Sequence, residues 1–313
     1  MAGKFDNFYF ETLKRVLDKA LAAYSDPEGR SPSQIDAEIV KHMKETTKQH
    51  YQSDPDIDYD DPLCRLGYLY THAGANATLF ERAISNSTIL RNLLKNRKAK
   101  PLSICAVGGG PGTELLGITK YLLTSANGAV PGELKFRLLD KVSEWSETWE
   151  QISEICIDSL SQQGIPIAVK PFSNEMDVVD PASYKKFAWA FGNVDLFVFN
   201  YLLSENQIRL NDFACTLSAM VNKASPGSYF VFIDRIEYDL LRSTFDMETV
   251  KRIVQATDLI IKEDFPLGRV MTDSKNAWGD YLQRFSPRNP RFSFETNDKD
   301  KKPTVRVFVA TRH

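Results

Sequence analysis

"SICAVGGGPGTELLG", Ser103 to Gly117, is an apolar run that breaks into a glycine cluster and resumes with helix-forming residues. The pattern predicts a strand, a tight loop and a helix, and the loop lacks Cβ atoms where a ligand could approach its backbone. Two ligand-binding templates fail on it, each by a specific residue. A dinucleotide fingerprint needs Gly-x-Gly-x-x-Gly, but from Gly108 the last position is Thr113, and from Gly110 it is Leu115. A phosphate loop needs Gly-x-x-x-x-Gly-Lys; Gly112 and Gly117 have that spacing, yet Ile118 stands where the lysine belongs. What remains is Gly108-x-Gly110-x-Gly112, with Thr113 and Glu114 leading straight into a helix.

Downstream of this loop the chain alternates. The strands "LSICAV", "LKFRLLD", "IAVKPF", "VDLFVFN" and "GSYFVFIDR" are separated by the helical stretches "TELLGITKYLL", "EWSETWEQISEICIDSL", "YKKFAWAF" and "LNDFACTLSAMVNKA", and the β-rich "PTVRVFVATR" closes the chain. Short apolar strands separated by amphipathic helices predict an α/β fold, a mostly parallel sheet covered on both faces.

Upstream the pattern is helical. Phe8, Leu13, Val16, Leu17, Leu21 and Tyr24 recur at helical spacing before the turn-forming "SDPEGRSP", and a second helix is predicted from about Ser33 to His50. "LCRLGYLYTHAGANATLFERAI" reads as two short helices divided near Thr71 to Ala75, and "STILRNLLKNRK" opens on a Ser N-cap and ends in basic residues. The expected division is a helical cap over residues 1–97 and the α/β domain over 98–313.

Composition limits the function classes. With 42% hydrophobic and 26% charged residues the chain can bury a sizeable core, and a formal charge of −2 supplies no overall field toward a polyanion. No apolar stretch approaches the ~20 residues of a membrane span, and the opening "MAGKFDNFYFETLKR" has no apolar signal core, so the expected location is cytoplasm or nucleus. Cys64, Cys105, Cys156 and Cys215 form no CxxC pair and are expected to be reduced and mostly buried. The acids of "SDPDIDYDDP" fail as a calcium loop, because Tyr59 replaces the required Gly and Arg65 the closing Glu; a solvated acidic loop fits better. His42 and His50 lack a third ligand, so no metal site is expected.

On the strand, the Gly108-x-Gly110-x-Gly112 loop and the following helix, the chain resembles the class I, Rossmann-like S-adenosylmethionine-dependent methyltransferases. That resemblance implies a Rossmann-like methyltransferase fold and S-adenosylmethionine as cofactor, with S-adenosylhomocysteine as product. It also implies roles for later positions. Asp140, at the end of "FRLLD", stands where the family keeps an acid for the ribose hydroxyls; an ionised carboxylate is a pure acceptor, matched to O–H donors. Met176 and Asp177 in "SNEMDVVD" stand where an apolar residue covers the adenine and an acid or amide meets its amino group, with Asp180 as a rival to Asp177. The turn after "VDLFVFN" supplies Asn200, Tyr201 and Glu205 near the cofactor and acceptor; Tyr201 could equally be a packed aromatic, and Glu205 a helix cap.

One position departs from the family. Many members carry an acid two residues before the first glycine, where this chain has Ala106. The replacement partner for the cofactor's amino group is sought in the loop carbonyls or in "YLYTHAGANATLF", where Tyr70, His72 and Asn76 place polar groups among apolar ones. His72 is either a structural histidine or a group at the cofactor mouth.

Methyl transfer from a sulfonium needs proximity and alignment, and an amine or hydroxyl acceptor adds the need for a base, for which His72, Tyr201 and Glu205 are the candidates. The expected reaction is transfer to nitrogen or oxygen of a small molecule. "GGGPGTE" is similar to loops of some small-amine N-methyltransferases, such as histamine N-methyltransferase. Similar loops also occur in eukaryotic ribosomal-RNA base methyltransferases, and Arg91 to Lys100 with Arg288, Arg291, Lys299, Lys301 and Lys302 would suit an RNA partner. A protein substrate and a non-catalytic cofactor-binding scaffold are the further alternatives.

Overall fold

The computed structural model describes residues 5, 7–49, 57–97, 100–125, 130–165, 167–235, 247–267 and 305–313. Five helices precede the glycine loop: α1 (Phe8–Ala23), α2 (Pro32–Gln49), α3 (Pro62–Tyr68), α4 (Gly74–Asn86) and α5 (Thr88–Asn96). Then β1 (Pro101–Val107), α6 (Thr113–Ser125), β2 (Glu133–Asp140), α7 (Trp145–Gln162) and β3 (Ala168–Glu175) alternate. They are followed by α8 (Pro181–Lys185), α9 (Ala188–Phe191), β4 (Leu196–Asn200), α10 (Leu202–Glu205), α11 (Leu210–Lys223) and β5 (Tyr229–Arg235). The described chain ends with α12 (Met247–Gln255), β6 (Leu259–Leu267) and β7 (Val305–Arg312).

The seven strands form one sheet in the order β3-β2-β1-β4-β5-β7-β6. The first five pair in parallel, whereas β7 is antiparallel to both β5 and β6. The order reverses at β1, between β2 and β4, so a crevice opens beyond the carboxyl ends of these strands; in open α/β sheets ligands sit at such a point. Strand periodicity divides the core. On β1, Leu102, Ile104 and Ala106 face a layer shared with α1, α4, α6 and α7, while Cys105 and Val107 face the opposite layer with Phe213, Leu217 and Met220 of α11. In that second layer the rings of Phe197 and Phe230 stack at 4.6 Å, and those of Phe199 and Phe232 at 4.8 Å.

The N-terminal helices are joined to the sheet by packing and by charge. α4 lies against α6 so closely that a Cβ on Gly117 would come within 2.5 Å of the Ala77 carbonyl oxygen. At α5 the Ser87 hydroxyl caps by accepting from the Leu90 N–H at 3.0 Å, as its sequence pattern predicts. The Glu263 carboxylate of β6 accepts the Ser87 hydroxyl and the N–H groups of Thr88 and Ile89, a negative charge where the helix dipole favours one.

Two expectations are refined, and two elements were not anticipated. The segment from Leu63 to Ile84 holds the two expected helices, but the chain does not break between them: α3 passes through one π-helical turn, Leu69–Ala73, directly into α4. Its backbone stays right-handed helical at Tyr68, Ala73 and Gly74, and the Thr71 hydroxyl donates to the Gly67 carbonyl at 2.6 Å. "YKKFAWAF" is not one helix but the end of α8 and the whole of α9, because Asp180 caps a helix that begins at Pro181, ahead of that stretch. Strand β6 and helix α12 were not anticipated; β6 is half-exposed along most of its length and carries Lys262, Glu263, Asp264 and Pro266, which mask its apolar pattern. The four cysteines are free, and all but Cys215 are buried.

Candidate active site

The carboxyl ends of the strands enclose a cleft of about 210 Å³. Its floor comes from the loop after β1 (Gly108, Gly110), the end of β2 (Asp140), the turn after β3 (Met176, Asp177) and α10 (Leu202, Glu205). Its roof is aromatic. Tyr59, Tyr68 and Trp145 approach one another at 5.5 to 5.7 Å between ring centroids, Tyr59 and Tyr68 meeting edge to face. Burial holds both phenols well above their usual range, with the Glu205 carboxylate as the next cause, so neither ionises at neutral pH.

The loop adopts its shape through backbone conformations that favour glycine. Gly108, Gly110 and Gly112 have φ of 66°, 50° and 93°. Their surroundings differ, however. A Cβ on Gly112 would lie 2.2 Å from the ring of Trp149, so this glycine stands outside the cleft and lets α7 pack against the loop. A Cβ on Gly110 would meet nothing closer than Trp145 at 3.9 Å, which leaves that backbone open toward the cleft.

Asp140 is held in place by the same loop. Its carboxylate accepts from the Gly110 N–H at 2.7 Å and from the Val142 N–H at 2.9 Å. Desolvation raises it to about 6, while these two backbone bonds oppose the rise. The Asp140 carbonyl accepts the Met176 N–H at 2.7 Å, which fixes the next segment of the floor. Asp177 accepts from the Val179 N–H at 2.9 Å and faces the cleft; its rival Asp180 is exposed and caps α8 through the Ala182 N–H.

At the turn after β4, Tyr201 takes a left-handed conformation, φ 59°, rare for a bulky residue and costly unless the surroundings enforce it. Asp234 of β5 accepts the Leu203 and Ser204 N–H groups at 3.1 Å each, pinning α10 so that Glu205 faces the cleft while Tyr201 is buried. Behind the loop is a second polar group of residues. Asn200 donates from its amide to Glu114 Oε1 at 3.1 Å and to the Asn76 carbonyl at 3.3 Å, and the Asn76 amide donates to the Tyr68 hydroxyl at 2.8 Å. Glu114, 2% exposed, is raised to about 7, chiefly by desolvation, with hydrogen bonds from its own backbone N–H, Asn200 and Thr113 opposing.

The structure thus brings Gly108, Gly110, Asp140, Met176, Asp177 and Glu205 to the cleft, and Asn76 and Asn200 to the group behind it. Tyr70 is packed in the core at 1% exposure, and His72 lies behind the roof, its ring 5.3 Å from that of Tyr68; neither lines the cleft. Sequence reasoning did not single out Tyr59, Tyr68, Trp145 or Glu114. Trp145 alone carried a local signal, five residues after Asp140 at the mouth of a helix. Arg288, Arg291, Lys299, Lys301 and Lys302, like Asp54, Asp56 and His50 upstream, lie outside the described residues. Among the described residues no group of three or more His, Cys, Asp or Glu side chains could hold a metal ion, and no helix is long and apolar enough to cross a membrane.

The strand order, with β7 inserted antiparallel between β5 and β6, and a glycine loop between β1 and α6 make this a Rossmann-like α/β fold. No family model matches the chain, and no curated protein matches it in sequence. Similar solved structures include an S-adenosylmethionine-dependent methyltransferase from Clostridium acetobutylicum, 11% identical, covering 75% of this chain and 91% of that one with a TM-score of 0.42. An O-methyltransferase family protein from Burkholderia thailandensis is 10% identical, with 88% and 68% covered and a TM-score of 0.46. The pyocyanin biosynthetic protein PhzM is 12% identical, with 99% and 71% covered and a TM-score of 0.43.

Proposed function

We propose that this protein binds S-adenosylmethionine in the cleft and transfers its methyl group to a nitrogen or oxygen atom of a small molecule. The observation that carries the reading is Asp140, a carboxylate fixed by the Gly110 and Val142 N–H groups at the edge of the cleft, beside the open backbone of Gly110. Two backbone donors leave a carboxylate with acceptor capacity to spare, which suits the paired hydroxyls of a ribose. Met176 and Asp177 both line the cleft, and we assign Met176 to the adenine face and Asp177 to the adenine's amino group.

The bound cofactor supplies a methyl group on a positively charged sulfur, displaced in line by the acceptor. The chain's part is positioning. Tyr59, Tyr68 and Trp145 line the cleft, and aromatic faces favour positive charge. Glu205, on the same cleft, is the group we assign to the acceptor, holding an amine or taking a proton from it. A small acceptor suits an enclosed cleft roofed by three rings. Residues 1–97 serve as the cap, contributing Ile57 and Tyr59 from the turn before α3, and Tyr68 from α3, to the roof. The cytoplasm or nucleus is the compartment that four free thiols suit.

Titration calorimetry with S-adenosylmethionine tests the reading. Micromolar binding that weakens in Asp140→Ala is expected, and no binding by the wild-type chain would remove both the cofactor and the reaction. With binding in hand, labelled methyl transfer to a panel of small amines and phenols is expected. Transfer to RNA instead, with affinity falling steeply as salt rises, would mark a polynucleotide acceptor.

A further inference from the structure

Ala106, fully buried at the end of β1, offers no charge to the amino group of the cofactor's methionine end. We infer that Glu114 supplies it: the carboxylate beneath the glycine loop, with the Asn200 amide oxygen beside it, is the receptor for that ammonium. The inference rests on the cofactor reading above and adds a binding residue to it.

Two buried acceptors carry the argument. Glu114 Oε1 is engaged by the Asn200 amide and by the Thr113 hydroxyl, each at 3.1 Å, whereas its Oε2 has no hydrogen-bond partner. The Oδ1 of Asn200, a residue 8% exposed, has none either. Buried polar atoms are nearly always paired, so two orphans on hydrogen-bonded neighbours mark a missing donor. Both are acceptors, and one belongs to an acid. A phosphate or carboxylate ligand would face that acid and be repelled; an ammonium brings three donors, no acceptor and the opposite charge.

The position fits the loop. A Cβ on Gly109 would lie 3.2 Å from Glu114 Oε2, so the loop backbone rests directly on the carboxylate. Gly108 and Gly110, its neighbours, line the cleft. The close crossing of α4 over α6 at Gly117 brings the Asn76 carbonyl to Asn200, and Tyr68, bonded to Asn76, lines the cleft on the other side. Tyr68 therefore stands at the boundary the ammonium has to pass. The acidity agrees: a carboxyl raised to about 7 by burial gains most from an incoming cation, and the Asp140 charge raises it further.

The test is a binding cycle on the full chain. S-adenosylhomocysteine and 5′-methylthioadenosine share the nucleoside, and only the first has the amino-acid end. Glu114→Gln is expected to weaken S-adenosylhomocysteine by roughly 10- to 100-fold while 5′-methylthioadenosine stays within about 2-fold, which also shows that the variant is folded. On the wild-type chain a deaminated S-adenosylhomocysteine should lose a similar factor, and that loss should vanish in Glu114→Gln. Equal weakening of both ligands would make Glu114 a support of the loop and overturn the inference, as would no change in either. A wild-type chain that binds 5′-methylthioadenosine but gains nothing from the amino group also overturns it, with the cofactor reading intact. A chain that binds none of these ligands fails at the cofactor itself.

Discussion

Asp140 and Glu114 flank the same glycine loop, one on its cleft side and one beneath it, and their surroundings treat them differently. Asp140 is partly buried with both oxygens engaged by backbone N–H groups, and burial raises it from 3.8 to about 6. Glu114 is almost wholly buried, has one oxygen without a partner, and is raised to about 7. The glycines divide in the same way: Gly110 faces open space, whereas Gly109 and Gly112 face side chains. The loop is therefore open toward the cleft on one side and a packing surface on the other, and the two halves respond to substitution differently.

The largest effect should come from the packing half. Gly112→Ala puts a Cβ into the Trp149 ring and a side chain at φ 93°, and should destabilise the fold by about 3 kcal/mol or more, read as a fall of several degrees in the thermal midpoint. Gly110→Ala should cost about 1 kcal/mol, since only its backbone conformation opposes a methyl group, yet it should weaken the cofactor at least tenfold. Equal melting of the two variants would erase the distinction between the halves.

The pH dependence of stability comes next. Folded Glu114 keeps its proton to about pH 7, whereas its ordinary value is 4.5, so the folded state binds more protons across that window. Its contribution is full below about 4.5 and is lost as pH rises through 7, on the order of 3 kcal/mol in all. Asp140, at about 6, acts in the same direction. The melting temperature of the ligand-free chain should drop between pH 5 and pH 8, and the drop should be shallower in Glu114→Gln. A profile unchanged by that substitution would mean that Glu114 is ionised and solvated.

Two smaller effects bear on the boundary between the halves. Asp140→Ala should weaken S-adenosylmethionine by about 1 to 3 kcal/mol, measured by calorimetry. Tyr68→Phe removes the hydroxyl that holds the Asn76 amide and should cost about 1 kcal/mol of stability by denaturant titration. If Tyr68→Phe proves neutral, the link between roof and underside is incidental.

The same contrast explains what could be read from sequence. Asp140, Met176 and Glu205 were legible because each follows a strand whose apolar run is local, and the sheet carries strand ends to one edge. The roof was not: Tyr59 and Tyr68 meet Trp145 only after α3 has folded over the sheet, a contact between residues far apart in sequence. Tyr70 and His72 drew attention for their polarity, but the π-helical turn buries Tyr70 in the core and leaves His72 behind Tyr68. In the sequence Glu114 shows only as a residue leading into a helix. Its burial depends on α4 crossing α6 at Gly117, and no periodicity in either helix announces that crossing. Strand β6 was hidden by its charges, and the cap residue Ser87 was plain from its local pattern.

The central claim is that the cleft over Gly110 and Asp140 is a cofactor site. Soaking crystals of the full chain with S-adenosylhomocysteine tests it most directly. The account predicts ribose hydroxyls on the Asp140 carboxylate and the nucleoside against Met176. A nucleoside bound elsewhere, with Asp140 facing water, would contradict it.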